Sequence, residues 1–362
     1  MTVPPARLHA LGTAEPANWY RQQEVAAGFF ARLPGWDPAW AEVFAASGVE
    51  RRAAAVDIDA FYATEGSGEP GTGAPEHHSP STAERMRVFT PAARALGAQA
   101  ARQALARAGP AAAADLGDLV VVSCTGYAGP GLDVHLASEL GLDGRLRRLA
   151  IGHMGCYAAV PALRTAAALV AASGRRALVV CVELCSLHLQ PATSRLDAVG
   201  QSLFGDGAAA ALLGPDGPGP ALAGSATRTL PGTGQHMRWE IADDGFHMLL
   251  SPRVPALLER ALPELVAELL DPHGLAVGDV AHWVVHPGGP EVLERVQRGL
   301  SLPDKALARS WEALADGGNR SSATVLFVLD ALLDSGEVQP GQWLALLAFG
   351  TGLTLEALLL RA

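Results

Sequence analysis

Three residues far apart in the chain have the types needed for acyl transfer: Cys156, His286 and Asn319. Cys156 follows Ile151-Gly152-His153-Met154-Gly155 and opens into a helix-like run from Ala158 to Gly174. A sulfur at such a junction faces the unpaired amides and positive dipole end of a helix, and both favour thiolate over thiol. His286 stands in His286-Pro287-Gly288-Gly289, and Asn319 in Gly317-Gly318-Asn319-Arg320-Ser321-Ser322. An adjacent imidazolium would lower the cysteine further, so a resting thiolate–imidazolium pair is expected to attack an acyl thioester. If a malonyl thioester then loses carbon dioxide, the enolate oxygen needs donors. His286 and the uncharged Asn319 amide supply them.

Each residue also has an ordinary structural reading. The cysteine can be a small buried hydrophobe, the histidine a satisfied core residue and the asparagine an N-cap. Their conjunction at comparable junctions favours chemistry. Phe204 lies in Val199-Gly200-Gln201-Ser202-Leu203-Phe204-Gly205-Asp206-Gly207, where Gly-Asp-Gly forces a turn and the ring can face a cavity. Cys181 and Cys185 lack partner ligands and His77-His78 has none at a useful spacing, so no metal site is expected.

The elements that must position these residues alternate. Continuous apolar runs at 119–124, 177–182, 208–213, 283–285, 343–348 and 353–360 read as strands covered on both faces. Helical patterns at 91–108, 133–140, 253–270, 290–300 and 321–333 separate them. Residues 63–81, rich in Gly and Pro, read as a surface loop. Met154-Gly155-Cys156 before one helix echoes Gly317-Gly318-Asn319 before another. The echo predicts an α/β protein made of duplicated halves, residues 1–215 with the cysteine and 216–362 with the histidine and asparagine.

Composition excludes other classes. Hydrophobic residues make up 49% and charged ones 18%, too apolar for a disordered chain. A net charge of −10 without a basic run argues against nucleic acid as a partner. No signal-peptide pattern opens the chain, no uninterrupted apolar run is long enough to span a membrane, and four cysteines form no disulfide framework. A cytoplasmic protein is expected.

In order and combination these stretches resemble the type III polyketide synthases, the chalcone and stilbene synthase-like family of the thiolase fold. The likeness runs from about Thr82 to the C-terminus. It is carried by Thr82-Ala83-Glu84-Arg85-Met86, Pro130-Gly131-Leu132-Asp133, Met154-Gly155-Cys156, the 199–209 segment, His286-Pro287-Gly288-Gly289-Pro290, Gly318-Asn319-Arg320-Ser321-Ser322-Ala323 and Phe349-Gly350-Thr351-Gly352-Leu353-Thr354. The resemblance implies a layered αβαβα architecture and a homodimer with no permanently bound cofactor. A starter from acyl-CoA would load on Cys156, malonyl-CoA would extend it, and cyclisation would follow in the same cavity.

By the family pattern Phe204 and Met248 occupy the two gatekeeper positions. Cys124, Thr125, Cys185, His188 and Ser321 map to the cavity lining, and the dimer-crossing position falls near Gly129. Glu183 to Gln190 resembles the bacterial alkylpyrone and alkylresorcinol branch, implying a fatty acyl starter and a pyrone or resorcinolic product. The family grips CoA phosphates with basic residues on an early helix, whereas Ala39 to Ala46 holds no Lys or Arg. Arg51 and Arg52 are the nearby substitutes; otherwise CoA binds elsewhere, or the starter arrives on an acyl carrier protein. Two rival readings are a single-round ketoacyl synthase III-like enzyme, against which His-Pro-Gly-Gly speaks, and a catalytically silent thiolase-fold partner.

Overall fold

The computed structural model describes residues 5–63 and 79–362. Most of the expected 63–81 loop, with His77 and His78, lies outside the described residues. In chain order the strands are β1 (Arg7–Ala14), β2 (Asn18–Arg21), β3 (Arg51–Ala54), β4 (Leu116–Ser123), β5 (Arg147–Gly152), β6 (Arg176–Leu184) and β7 (Asp206–Gly214). They continue with β8 (Ala221–Thr229), β9 (Met237–Ala242), β10 (Gly245–Leu250), β11 (Val280–Val285), β12 (Trp343–Gly350) and β13 (Thr354–Arg361). Nine of them form one sheet in the order β11-β12-β13-β8-β1-β7-β6-β4-β5.

The duplication is visible in the pairing. β4 and β6 are parallel, β6 and β7 antiparallel, and β7 and β1 antiparallel. β11 and β12 are likewise parallel, β12 and β13 antiparallel, and β13 and β8 antiparallel. The two sets join through the Arg7–Ala221 pair of β1 and β8.

Side-chain parity along each strand builds the layers. Val120, Val122, Val179 and Cys181 face one core together with Val284, Leu344, Leu346 and Leu358. That core encloses the helices Ala159–Ser173 and Thr324–Asp334, which lie between the two sets of strands. The alternate residues Leu119, Val121, Leu178 and Val180 face outward onto Thr82–Ala108, and Trp283, Val285, Ala345 and Leu347 onto Val254–Leu270. The result is the expected αβαβα stack of the thiolase fold.

The helix expected from Pro91 begins nine residues earlier, at Thr82, and Pro91 lies inside it. Ser81 and Glu84 form a capping box that starts the helix upstream of the proline. Alanines on this helix serve close packing: a Cβ on Gly12 of β1 would lie 2.3 Å from the carbonyl oxygen of Ala100. The expected helix from Ser321 opens instead as a 3₁₀ turn over Ser321–Ala323. No described helix is long and apolar enough to cross a membrane, and no group of three or more metal-ligating side chains occurs among the described residues.

Candidate active site

Cys156 sits in a turn between β5 and the helix Ala159–Ser173. Gly155 takes a left-handed φ of 82°, which a side chain resists. The Thr351 hydroxyl donates to the Met154 carbonyl at 3.1 Å. A Cβ on Gly350 would lie 2.7 Å from the Tyr157 ring and 3.3 Å from the Cys156 nitrogen. The glycine loop after β12 thus fits flush beneath the cysteine turn, joining the two halves at this point.

Asn319 is held by backbone and side chain together. Its N–H donates to Leu203 at 2.8 Å, and Gly205 N–H donates back to its carbonyl at 3.1 Å. Gly318 has a φ of 71°, and a Cβ there would lie 2.6 Å from the Leu203 oxygen. The side-chain Oδ1 accepts from Ser321 N–H at 2.8 Å. That bond orients the amide, leaving Nδ2 to donate toward the Cys156 sulfur at 3.7 Å. Ser321 adopts an unusual left-handed φ of 47°.

His286 follows β11 and extends its ladder, its N–H donating to Leu347 at 2.8 Å. The side chain is buried and neither ring nitrogen has a protein partner among the described residues. Burial pushes the Cys156 thiol up to about 11, partly opposed by hydrogen bonds from Ser321 and Asn319. Burial likewise pulls the His286 imidazole down to about 3. Desolvation penalises the charged form of both. Both shifts oppose the charged forms that the sequence reading pairs as thiolate and imidazolium.

All three side chains line one cavity of about 470 Å³, together with Phe204, Met248 and Phe349. Much of its further wall is apolar, with Leu196, Val199, Met237, Leu250 and Leu258, and its rim carries Arg195 and Glu291. Phe204 is tied to Asn319 by a backbone bridge, and its ring centre lies 6.2 Å from that of Trp239.

Five other sequence candidates, Cys124, Thr125, Cys185, His188 and Ser321, are not among the residues lining this cavity. The buried Glu183 accepts from Cys124 N–H at 3.0 Å and from the Thr125 hydroxyl at 2.9 Å, and Ser322 also donates to it. Cys124 Sγ is 3.2 Å from the Ser321 hydroxyl. His188 Nε2 donates to the Thr125 carbonyl at 2.7 Å, while Nδ1 accepts from Phe246 N–H at 3.1 Å. This is a neutral tautomer, and burial holds the ring down to about 4. Cys185 is buried in the turn after β6.

Sequence reasoning missed Glu183 as an organiser and missed the β9–β10 hairpin that carries Met237 and Met248. Alternating residues on either side of Asp244-Gly245 were the available hairpin signal. Arg52 is not a phosphate ligand. It is buried, donating to the carbonyls of Gln201, Ser202 and Phe204 and to Gln22. Arg51 pairs with Asp316 and covers the Trp19 ring at 4.6 Å.

Two family descriptions match the chain: chalcone and stilbene synthases, N-terminal domain, over residues 64–217, and the C-terminal domain over 221–362. The chain belongs to the chalcone and stilbene synthase family. This type III polyketide synthase is 35% identical over 288 residues to an alpha-pyrone synthesis polyketide synthase-like protein of Mycobacterium tuberculosis, covering 76% of this chain and 72% of the relative. It is 33% identical over 374 aligned positions to a 3,5-dihydroxyphenylacetyl-CoA synthase of Streptomyces toyocaensis, covering 99% and 91%. PKS-I of the brown alga Ectocarpus siliculosus superposes with a TM-score of 0.90 at 30% identity, over 100% and 99% of the two chains. The synthase is accordingly an acyltransferase of decarboxylative condensation acting on CoA thioesters.

Proposed function

We propose that the synthase loads a fatty acyl starter on Cys156, extends it with malonyl-CoA and releases a pyrone or resorcinolic product. One observation carries the proposal: the Ser321 amide fixes the Asn319 carboxamide against the sulfur, with Nδ2 at 3.7 Å and Oδ1 at 3.8 Å, in the cavity that also holds His286. Neutral His286 takes the Cys156 proton as sulfur attacks the starter thioester, then gives it to the departing CoA thiolate. A malonyl thioester next loses carbon dioxide, and its enolate oxygen accepts from Asn319 Nδ2–H and the His286 N–H. The enolate carbon attacks the Cys156 thioester and expels the sulfur as thiolate, which takes a proton from solvent, and the lengthened CoA thioester reloads Cys156 for another round. Phe204 and Met248 flank the reacting atoms and exclude water. Cys124, Thr125, Cys185, His188 and Ser321 are proposed to bind the growing chain, with Cys124, Thr125, His188 and Ser321 held in one hydrogen-bonded group. The division of labour between 1–215 and 216–362 follows the placement of sulfur and donors.

The fatty starter is supported by the apolar walls. Turnover of an acyl-CoA panel with malonyl-CoA, read by product mass, is expected to favour medium and long aliphatic starters by at least about tenfold over acetyl-CoA. Apolar burial of about 0.8 kcal/mol per CH₂ supplies that preference within a few methylenes. Preference for short or aromatic starters, or products carrying a single two-carbon addition, would defeat the proposal.

His286 acting as a neutral base has a pH signature. With its ring pulled down to about 3, the base form persists well below pH 6. Single-turnover acylation should change less than about threefold between pH 7.5 and 5.5, where a histidine near its ordinary 6.5 would lose about tenfold. An inflection near pH 6.5 would contradict the assignment.

The proposed assembly is a homodimer. β5 is the edge of the sheet and largely exposed, with Leu149 41% exposed and Tyr127 of the neighbouring loop 51%. Sedimentation should report twice the 37.4 kDa chain mass. A monomer at micromolar concentration would count against it.

A further inference from the structure

The cavity has a buried floor and a charged rim. Cys156, His286, Asn319 and Leu203 are buried, whereas Arg195, Leu196, Pro252 and Glu291 are exposed. The helix Arg195–Leu203 connects the two ends, with residues 195, 196, 199, 202 and 203 lining the cavity as one helical stripe. Its inner end is fixed where Leu203 accepts from Asn319 N–H at 2.8 Å. Eight steps of about 1.5 Å set the Cα of Arg195 about 12 Å from that of Leu203. A guanidinium is thus carried at the outer end of the space that an extended thiol arm would occupy.

Arg195 pairs with no carboxylate among the described residues, and neither does Arg253. Arg253 is exposed beside Ser251, Pro252 and Val254, which form a second stretch of cavity wall. Glu291, the acid on the rim, is bound to Arg295 at 3.2 Å. In a chain of net charge −10, most arginines are tied to acids. An uncompensated guanidinium on the rim at Arg195, with a second on exposed Arg253 between wall residues Pro252 and Val254, suits a polyanion, because planar guanidinium forks bind phosphate oxygens in pairs.

We propose that Arg195 and Arg253 anchor the phosphate groups of the CoA thioester at the rim while its thioester reaches Cys156. The inference rests on the thioester chemistry proposed above and adds the anchor for its donor. It assigns the helix Arg195–Leu203 two tasks, walling the acyl space and placing the phosphate-binding cation.

The test compares malonyl-CoA with the malonyl thioester of N-acetylcysteamine, which has the same reacting atoms and no phosphate. In the double variant Arg195→Ala/Arg253→Ala, kcat/KM for the CoA donor is expected to fall about tenfold through KM, with kcat within about twofold. The phosphate-free donor should be used as well as before. Raising the salt concentration should narrow the wild-type preference for the CoA donor, since exposed charges are screened. Equal loss with both donors, or no loss with either, overturns the anchor. Calorimetric binding of CoA itself separates the two readings. If the wild type turned over neither donor yet bound CoA about tenfold better than the double variant, the anchor would stand and the proposed function would fall. Equal CoA binding by both proteins overturns the anchor regardless of turnover.

Discussion

Cys156→Ala is expected to abolish chain extension, lowering product formation by at least about 10⁴-fold, the scale seen when a covalent nucleophile is removed. The effect should come from chemistry alone. Cys156 is 7% exposed and lies ahead of the helix that begins at Ala159, so losing one sulfur leaves the turn, the Met154–Thr351 bond and the Gly350 contact in place. Thermal unfolding should shift by only a few degrees. Decarboxylation of malonyl-CoA, which needs the enolate donors but no nucleophile, should persist. Product from the alanine variant at more than about one hundredth of the wild-type rate would show that another group accepts the acyl chain. Cys124 would be the first to examine, because its sulfur lies 3.2 Å from the same Ser321 hydroxyl and is itself disfavoured as a thiolate by burial and by Glu183.

Asn319→Ala carries the second large effect. Losing one preorganised donor to a developing oxyanion costs about 10²–10³ in rate. Malonyl-CoA decarboxylation should fall by that factor, while single-turnover starter loading on Cys156 changes less than about tenfold. Alanine also strips the Ser321 N–H of its acceptor at a residue already in a left-handed conformation. Asn319→Asp controls for this: it retains the acceptor and removes the donor. The Asp variant should decarboxylate as slowly as the Ala variant despite a better-held turn. Its charge beside the sulfur should also slow loading more than alanine does. Equal loss of loading and decarboxylation in the alanine variant would remove the enolate role.

The parts of this site legible in the sequence were those fixed by local chemistry. Strands such as β4 and β6 announced themselves because both faces are buried, leaving uninterrupted valines and leucines. The catalytic candidates stood at strand–helix junctions marked by glycine, and the junctions do converge on one cavity. β1 and β8 gave no such signal: their sequences, RLHALGTA and ALAGSATRT, are interrupted by polar residues and glycine. They become strands because the centre of the sheet closes on them. From the sequence the helix Thr82–Ala108 is expected to start at Pro91 because a proline usually marks a boundary, but a capping box upstream outweighs it.

Charge states were the least legible feature. The sequence places a thiol near a helix start and a histidine somewhere downstream, which argues for an ion pair. Only the folded chain reveals that His286 is enclosed with no polar partner among the described residues, so burial opposes the charge on both groups. The same holds for Arg52, attractive on paper as a phosphate ligand and in fact committed to the carbonyls of the 201–204 segment.

Peptide mapping by mass spectrometry of protein quenched during incubation with a long-chain acyl-CoA alone tests the central assignment most directly. The starter's acyl mass should be found on the peptide containing residue 156, in near-stoichiometric amount, and should disappear when malonyl-CoA is added. An acyl group on the peptide of residue 124, 181 or 185, or no covalent adduct while product accumulates, would contradict it.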